Sequence, residues 1–289
     1  MDAPILIPIS IVVGLIVGFL SGTLGIGGGT LLIPVFKLGY GMTALGSTAT
    51  SLFTIIPTSV TGAITHIRKR TCIPSLGLAA GLGGAATSSL GVWLATISPD
   101  WATMVAAALI IAYSAITMLR KARKLQLKQR TEREFEEGLT ELEVVPEQEE
   151  LPLEGQMTPR GFVRASRKQI IQCFCIGLFA GVMSGYVGVG GGFIMVPMMM
   201  QLVGMPMKLT SGTSLIAVMI LAIPGTITQA LYGNVSWLAG CFVAIGAIPG
   251  AVIGGAVMSR IPELVLRYMF SIFLFVAACM LVLNQLGIV

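Results

Sequence analysis

The chain has 289 residues, of which 55% are hydrophobic and 11% are charged, whereas ordinary soluble domains are about 25% charged. Outside residues 120–168 the only acidic residues are Asp2, Asp100 and Glu263, too few for the surface of a soluble domain. The net charge of +5 comes from basic residues at the ends of apolar stretches, which argues against a nucleic-acid partner. The composition therefore predicts an all-α polytopic membrane protein.

Apolar stretches long enough to cross a bilayer, which takes about 20 residues of helix, recur along the chain. In the first half we predict crossings at residues 5–20, 43–65, 73–97 and 101–119. In the second half we predict them at residues 170–183, 209–231, 236–258 and 263–286. The stretch at residues 5–20 lacks a basic leader and is interpreted as a helix of the mature protein rather than a signal peptide.

The two halves are related by an internal repeat. "GTLGIGGGTLLIP" at residues 22–34 returns as "GYVGVGGGFIMVP" at residues 185–197, so that Gly188 lies 163 residues after Gly25. The same offset aligns Thr50-Ser51 with Thr213-Ser214 without a gap. We interpret residues 1–120 and 169–289 as two transmembrane repeats. Residues 121–168 form a charged linker, with a surface helix expected near residues 125–139.

The distribution of basic residues predicts that the repeats are inverted. Arg68, Lys69 and Arg70 align with uncharged residues of the second half, and Lys208 and Arg260 align with uncharged residues of the first. By the positive-inside rule, equivalent loops then lie on opposite faces of the membrane, with the linker in the cytoplasm and both termini outside it. Each half has four long helices and a glycine-broken segment, which either crosses twice with its helix or forms a re-entrant hairpin.

The glycines predict a substrate site. Irregular backbone at membrane depth occurs only where it is buried in protein or lines an aqueous cavity, and glycine lets successive amides point at one spot. Such amides at broken helices bind anions without a cationic side chain. The predicted binding residues are Gly25, Gly27, Gly28, Gly29, Gly188, Gly190, Gly191 and Gly192. Close helix packing is the alternative use of these glycines.

Hydroxyls and one histidine complete the candidates. Thr50, Ser51, Thr213 and Ser214 recur in register near helix starts, where they either cap the helix or bind the ligand. His66 is the only histidine, and its repeat partner is Gln229. Both are interpreted as polar helix-end residues or as coupling or gating residues. The five cysteines have no metal-binding or redox spacing, so we expect neither a metal nor a cofactor.

The doubled motif GxxSGxxGxGGG, each copy followed by a proline, resembles the TauE/SafE sulfite exporter family, also called the toluenesulfonate uptake permease family. The resemblance covers residues 5–120 and 168–287. It implies a multi-pass transporter of a bacterial or archaeal inner membrane for sulfite, thiosulfate, sulfoacetate or another organosulfonate, and no enzymatic activity. The family motif falls on Gly25, Gly27, Gly28 and Gly29 and on Gly188, Gly190, Gly191 and Gly192.

We therefore expect a secondary transporter that works by alternating access, coupled to H⁺, Na⁺ or the gradient of the anion itself. An anion channel, or a transporter of a carboxylate, is the alternative. The oligomeric state and the direction of transport are left open by the sequence.

Overall fold

The structure is a computed structural model that describes residues 3–138, 165–258 and 260–285. Within these residues all regular structure is helical, as the sequence predicts. The first half contains α1 (Ala3–Leu24), α2 (Gly29–Pro34), a π-helix (Val35–Gly39), α3 (Ala44–Arg68), α4 (Pro74–Ile97) and α5 (Asp100–Gly138). The second half contains α6 (Arg167–Val187), α7 (Gly192–Met198), a π-helix (Met199–Val203), α8 (Met207–Leu231), α9 (Trp237–Met258) and α10 (Glu263–Gln285).

The helices fall where the apolar stretches predicted them. In the described ranges, five helices are long and apolar enough to cross a membrane: the Ile7–Leu24 part of α1, and α4, α6, α8 and α9. Helices α3, α5 and α10 occupy the other predicted crossings. Helix α5 continues without interruption past residue 120 to Gly138, so the predicted linker begins inside a helix. Residues 139–164 of the linker lie outside the described residues, and its last two residues, 167 and 168, already belong to α6.

Local sequence explains where several helices begin. Thr43 precedes α3, and its Oγ1 accepts a 3.1 Å hydrogen bond from the amide of Gly46. Ser166 and Gln169 form a reciprocal capping box at the start of α6. Helix α4 begins at Pro74, whose missing N–H and fixed φ suit the first helical position.

Helices of one half pack on helices of the other through glycine faces. A β-carbon on Gly14, Gly18 or Gly22 of α1 would lie 2.1, 2.1 or 2.3 Å from a carbonyl oxygen of α9. Gly177 and Gly185 of α6 meet α4 in the same way, with a β-carbon 2.0 Å from the carbonyls of Ala80 and Ser88. Small residues permit this backbone approach between membrane helices. For these glycines, close packing explains their presence.

The contact register also gives the directions of the helices. Gly14 and Gly22 of α1 meet Val243 and Ala251 of α9, so α1 and α9 run in the same direction. Helices α3 and α9 are likewise parallel, because Gly240 meets Phe53 whereas Gly255 meets Thr65.

The central pair of helices runs in opposite directions. Gly62 of α3 meets Leu215 of α8, and Gly225 of α8 meets Leu52 of α3. Helix α4 of the first half is parallel to both α6 and α8 of the second half. Helix α1 therefore points opposite to its repeat partner α6.

We predict that Gly246→Ala destabilises this packing. A β-carbon there would lie 1.9 Å from the carbonyl oxygen of Ile11, so the helices must separate. Overpacking of this kind costs about 1–3 kcal/mol, which lowers the melting temperature in detergent by several degrees. Gly39→Ala is the control, because a β-carbon there meets nothing within 4 Å. Equal melting temperatures for the two variants would contradict the packing interpretation.

Candidate functional site

The two glycine segments interrupt the helices as predicted. Helix α1 ends at Leu24 before α2 begins at Gly29, and α6 ends at Val187 before α7 begins at Gly192. Both segments are buried. Left-handed φ values between 70° and 84° occur at Gly25, Gly27, Gly28, Gly188, Gly190 and Gly191. A residue with a β-carbon adopts this conformation only at a cost of about 1–2 kcal/mol, which is why glycine stands there.

The two segments touch each other where the halves meet. A β-carbon on Gly29 would lie 2.5 Å from the carbonyl oxygen of Val189, and one on Gly192 would lie 2.7 Å from that of Gly25. The side chain of Ile55 from α3 lies between them, within 3 Å of the β-carbon positions of both Gly29 and Gly190. The structure thus brings all eight predicted glycines into one buried region.

The amides of the two segments are largely unused. The amide of Gly25 donates to the carbonyl of Ser21 at 2.8 Å, and that of Gly188 donates to Ser184 at 2.7 Å, which closes α1 and α6. The next three amides in each segment donate no hydrogen bond to any residue that the structure describes. They belong to Ile26, Gly27, Gly28, Val189, Gly190 and Gly191.

Several of the carbonyl oxygens nearby accept hydrogen bonds. Ser214 Oγ donates to the carbonyl of Gly25 at 2.7 Å, and Ser51 Oγ to that of Gly29 at 3.5 Å. The carbonyl of Gly28 accepts the amides of Leu31 and Leu32. In the second segment, the carbonyls of Gly190 and Gly191 accept amides of α7. The site consequently offers six unpaired amide donors, while the carbonyls of Ile26, Gly27, Gly188 and Val189 also accept no hydrogen bond from the described residues.

Ser51 and Ser214 therefore lie at the glycine segments, whereas the hydroxyls of Thr50 and Thr213 engage other helices. Thr213 Oγ1 accepts the amide of Ile73, just before α4, at 2.9 Å. Thr50 Oγ1 accepts the amide of Ser236, just before α9, at 3.0 Å. Each threonine thus holds the start of a helix of the opposite half.

Three further serine hydroxyls, which the sequence analysis did not select, line the glycine segments. A β-carbon on Gly28 would lie 3.5 Å from Ser21 Cβ, one on Gly191 3.4 Å from Ser184 Cβ, and one on Gly27 3.6 Å from Ser59 Oγ. The Oγ atoms of all three serines are buried and have no hydrogen-bond partner among the described residues. An unpaired buried hydroxyl costs about 1–3 kcal/mol. Ser21 and Ser184 are repeat partners, and this shared register was the sequence signal that could have identified these two serines.

His66 and Gln229 occupy equivalent helix ends but are bonded differently. His66 Nε2 donates to the carbonyl of Gly22 at 2.9 Å, since a carbonyl only accepts, and Nδ1 lies 2.8 Å from Thr71 Oγ1. Gln229 Oε1 accepts from Asn234 Nδ2 at 2.8 Å, whereas its Nε2 is buried without a partner in the described chain. Both ring nitrogens of His66 are engaged in these bonds. The ring is therefore not placed to act as the general base for a serine nucleophile.

An anion here would meet dipoles rather than charges. Residues 3–36 and 169–207, which include both glycine segments, contain no charged side chain.

The described residues contain no group of three or more histidine, cysteine or acidic side chains that could hold a metal ion.

Comparison with known proteins gives the family. The family described as "Sulfite exporter TauE/SafE" matches residues 10–281, nearly the whole chain. The chain belongs to the TauE/SafE family. Like its relatives in this family, it is a membrane transporter.

Two relatives of the TauE/SafE protein come from Bacillus subtilis (strain 168). The probable membrane transporter protein YunE is 23% identical over 90% of this chain and 91% of its own length. The probable membrane transporter protein YdhB is 26% identical over 85% of this chain and 88% of its own length. No solved structure matches this TauE/SafE chain.

We predict that Thr213→Val weakens the fold of the TauE/SafE protein without altering its substrate affinity. The valine keeps the shape of threonine but leaves the buried amide of Ile73 unpaired, at a cost of about 1–3 kcal/mol. The melting temperature should fall, while the substrate concentration for half-maximal uptake stays within twofold of wild type. A large rise in that concentration with no thermal effect would instead place the hydroxyl of Thr213 on the substrate.

Proposed function

We propose that this protein is a secondary transporter that carries a small sulfur-containing anion, such as sulfite, thiosulfate or an organosulfonate, across the inner membrane. The proposal rests on one observation: unpaired amides and buried serine hydroxyls without a partner among the described residues lie together where the two broken helices meet. The predicted binding glycines, with Ser51 and Ser214 holding their carbonyls, form the centre of the site. Thr50 and Thr213 have a structural role in this proposal.

The unpaired donors of the site support an anion as the substrate. Cations such as Na⁺ and K⁺ are held by carbonyl and carboxylate oxygens. Here the carbonyls of Gly22, Gly25 and Gly29 already accept bonds from His66, Ser214 and Ser51. The unused N–H and O–H donors stabilise negative charge in a region shielded from water, although the carbonyls of Ile26, Gly27, Gly188 and Val189 also accept no hydrogen bond from the described residues.

The arrangement of the halves suits alternating access. We propose that the repeats are inverted across the membrane, with the linker in the cytoplasm; the opposite directions of α3 and α8 support this. Each glycine segment comes from one half, and the two touch at the site, so that rocking of one half against the other would expose the site to alternate faces. The name of the family supports a sulfur oxyanion as substrate. H⁺, Na⁺ or the gradient of the anion itself supplies the coupling.

A channel would share the same donors but would need no alternating gates. Uptake into liposomes that saturates and is accelerated by anion on the opposite side would support a transporter. An ohmic current that does not saturate would instead identify a channel.

We predict that Gly28→Ala and Gly191→Ala each lower the initial rate of anion uptake by about tenfold or more. A β-carbon in these left-handed positions (φ 84° and 70°) turns the amides away from the site or strains the segment. Matched controls are Gly41→Ala and Gly204→Ala, repeat partners with φ of 64° and 75° whose β-carbons meet nothing within 4 Å. The controls carry similar backbone strain and should transport normally. Normal uptake by the site variants would refute the assignment.

We also predict that sulfur oxyanions stabilise the purified protein. A ligand that binds only the folded state raises the free energy of unfolding by about 2.7 kcal/mol at one hundred times its dissociation constant. Sulfite, thiosulfate, sulfoacetate and taurine should therefore be compared with acetate and malonate in a thermal-shift assay. A carboxylate that stabilises more strongly than every sulfur anion would replace the proposed substrate class.

A further inference from the structure

We infer that the anion reaches the glycine segments through a polar route on one face of the protein, lined by Ser88, Thr226 and Gln229. This inference rests on the proposed function of the glycine site. The equivalent route in the other half is apolar and is closed by hydrogen bonds from His66 and Lys69.

The polar atoms of the route lie on two adjacent helices. Thr226 and Gln229 are three residues apart in α8 and therefore lie on the same side of that helix. Ser88 of α4 lies beside this part of α8, because a β-carbon on Gly225, the residue before Thr226, would lie 2.5 Å from Ser88 Oγ. Thr226 Oγ1, Gln229 Nε2 and Ser88 Oγ are all buried and have no hydrogen-bond partner within the described residues.

Neighbouring residues define the two ends of the inferred route. At its inner end, the carbonyl of Ser88 lies 2.0 Å from a β-carbon placed on Gly185, the residue after Ser184. Ser184 in turn borders Gly191. At its outer end, Gln229 Oε1 accepts a hydrogen bond from Asn234, which is half-buried.

The repeat supplies an internal comparison for this polarity. At the offset of 163 residues, Ala251 aligns with Ser88 and Ala63 aligns with Thr226. Both alanines are buried. In place of Gln229 stands His66, whose two ring nitrogens are both engaged. Both hydroxyls of the route are thus replaced by methyl groups, so the equivalent passage is apolar.

Two hydrogen bonds close the end of the apolar passage near His66. The equivalent residues, Gln229 and Tyr232, make no such bonds with any residue that the structure describes. His66 Nε2 ties the end of α3 to the carbonyl of Gly22 in α1, and Lys69 Nζ donates to the carbonyl of Ala256 in α9. The repeat partner of Lys69 is Tyr232, whose side chain is exposed. The structure therefore corresponds to a state closed on the face that carries Arg68, Lys69 and Arg70.

Energetics explain why partnerless groups accumulate on one side only. Each buried donor or acceptor without a partner destabilises the fold, so such groups persist where water or a ligand can reach them. Three of them at neighbouring positions of α4 and α8, which we define as the wedge, would replace part of the hydration shell of an anion that enters. Because α3 and α8 are antiparallel, this wedge opens on the face opposite to Arg68.

The first test combines Ser88→Ala with Thr226→Val, which removes the two hydroxyls and keeps the packing. Loss of one hydrogen bond to the passing anion corresponds to about fivefold, so sulfite uptake should slow by at least that factor. The affinity for sulfite in the thermal-shift assay should stay within twofold, and the melting temperature should not fall, because both hydroxyls lack protein partners.

Thr58→Val is the matched control for this pair, because its buried hydroxyl bonds within α3 to the carbonyl of Thr54 at 2.8 Å. It should leave uptake unchanged. Wild-type uptake by the double variant would overturn the route. Failure of the wild-type protein to bind any of the tested anions would instead count against the proposed function, and the second test decides the route independently of substrate.

The second test measures access by thiol labelling in liposomes, after the five native cysteines are replaced by alanine. Ser88→Cys and Thr226→Cys should react with a small anionic thiol reagent at least tenfold faster than Ala251→Cys and Ala63→Cys. The reagent should be effective from the face opposite to Arg68. Equal rates for the repeat partners, or faster labelling of the alanine positions, would show that the polar side chains do not mark the route.

Discussion

The structure depends on one constraint: a main-chain N–H or C=O group at membrane depth needs a partner, and helices normally provide it internally. This chain gives up that internal pairing twice, at residues 25–28 and 188–191. It recovers part of the carbonyl pairing through Ser51, Ser214 and the first turns of α2 and α7. What remains unpaired among the described residues includes six amide donors enclosed by protein. These donors are the basis on which we propose an anion site in a region without a formal charge.

The helices, the repeat and the breaks could be predicted from the sequence because each has a strong local signal. Apolar length identifies crossing helices, and the constant offset aligns Gly25 with Gly188 without ambiguity. Left-handed φ at the glycines follows from the fact that only glycine adopts it freely, and the structure confirms it at Gly27, Gly28, Gly190 and Gly191. The uncharged spans likewise predicted membrane burial.

The tertiary roles of individual hydroxyls could not be predicted, because they depend on which helices become neighbours. Thr50 and Ser51 are adjacent in sequence, yet Ser51 bonds to a glycine segment and Thr50 holds the start of α9. Ser59 and Ser88 have no hydroxyl at their repeat positions, so the internal comparison gave no signal for them. The π-helices that follow Pro34 and Pro197 were also unforeseen, since no local residue preference distinguishes them from α-helix.

The exchange of glycine faces between the halves has a consequence for biogenesis. Helix α1 packs on α9, and α4 packs on α6, so neither partner is available when the first half leaves the ribosome. The grooves of α1 and α4 must then be filled by lipid chains or by a membrane chaperone until the second half is inserted. Final assembly is therefore a post-insertion event in which lipid is displaced from both grooves, and the first half by itself would be a substrate for membrane quality control.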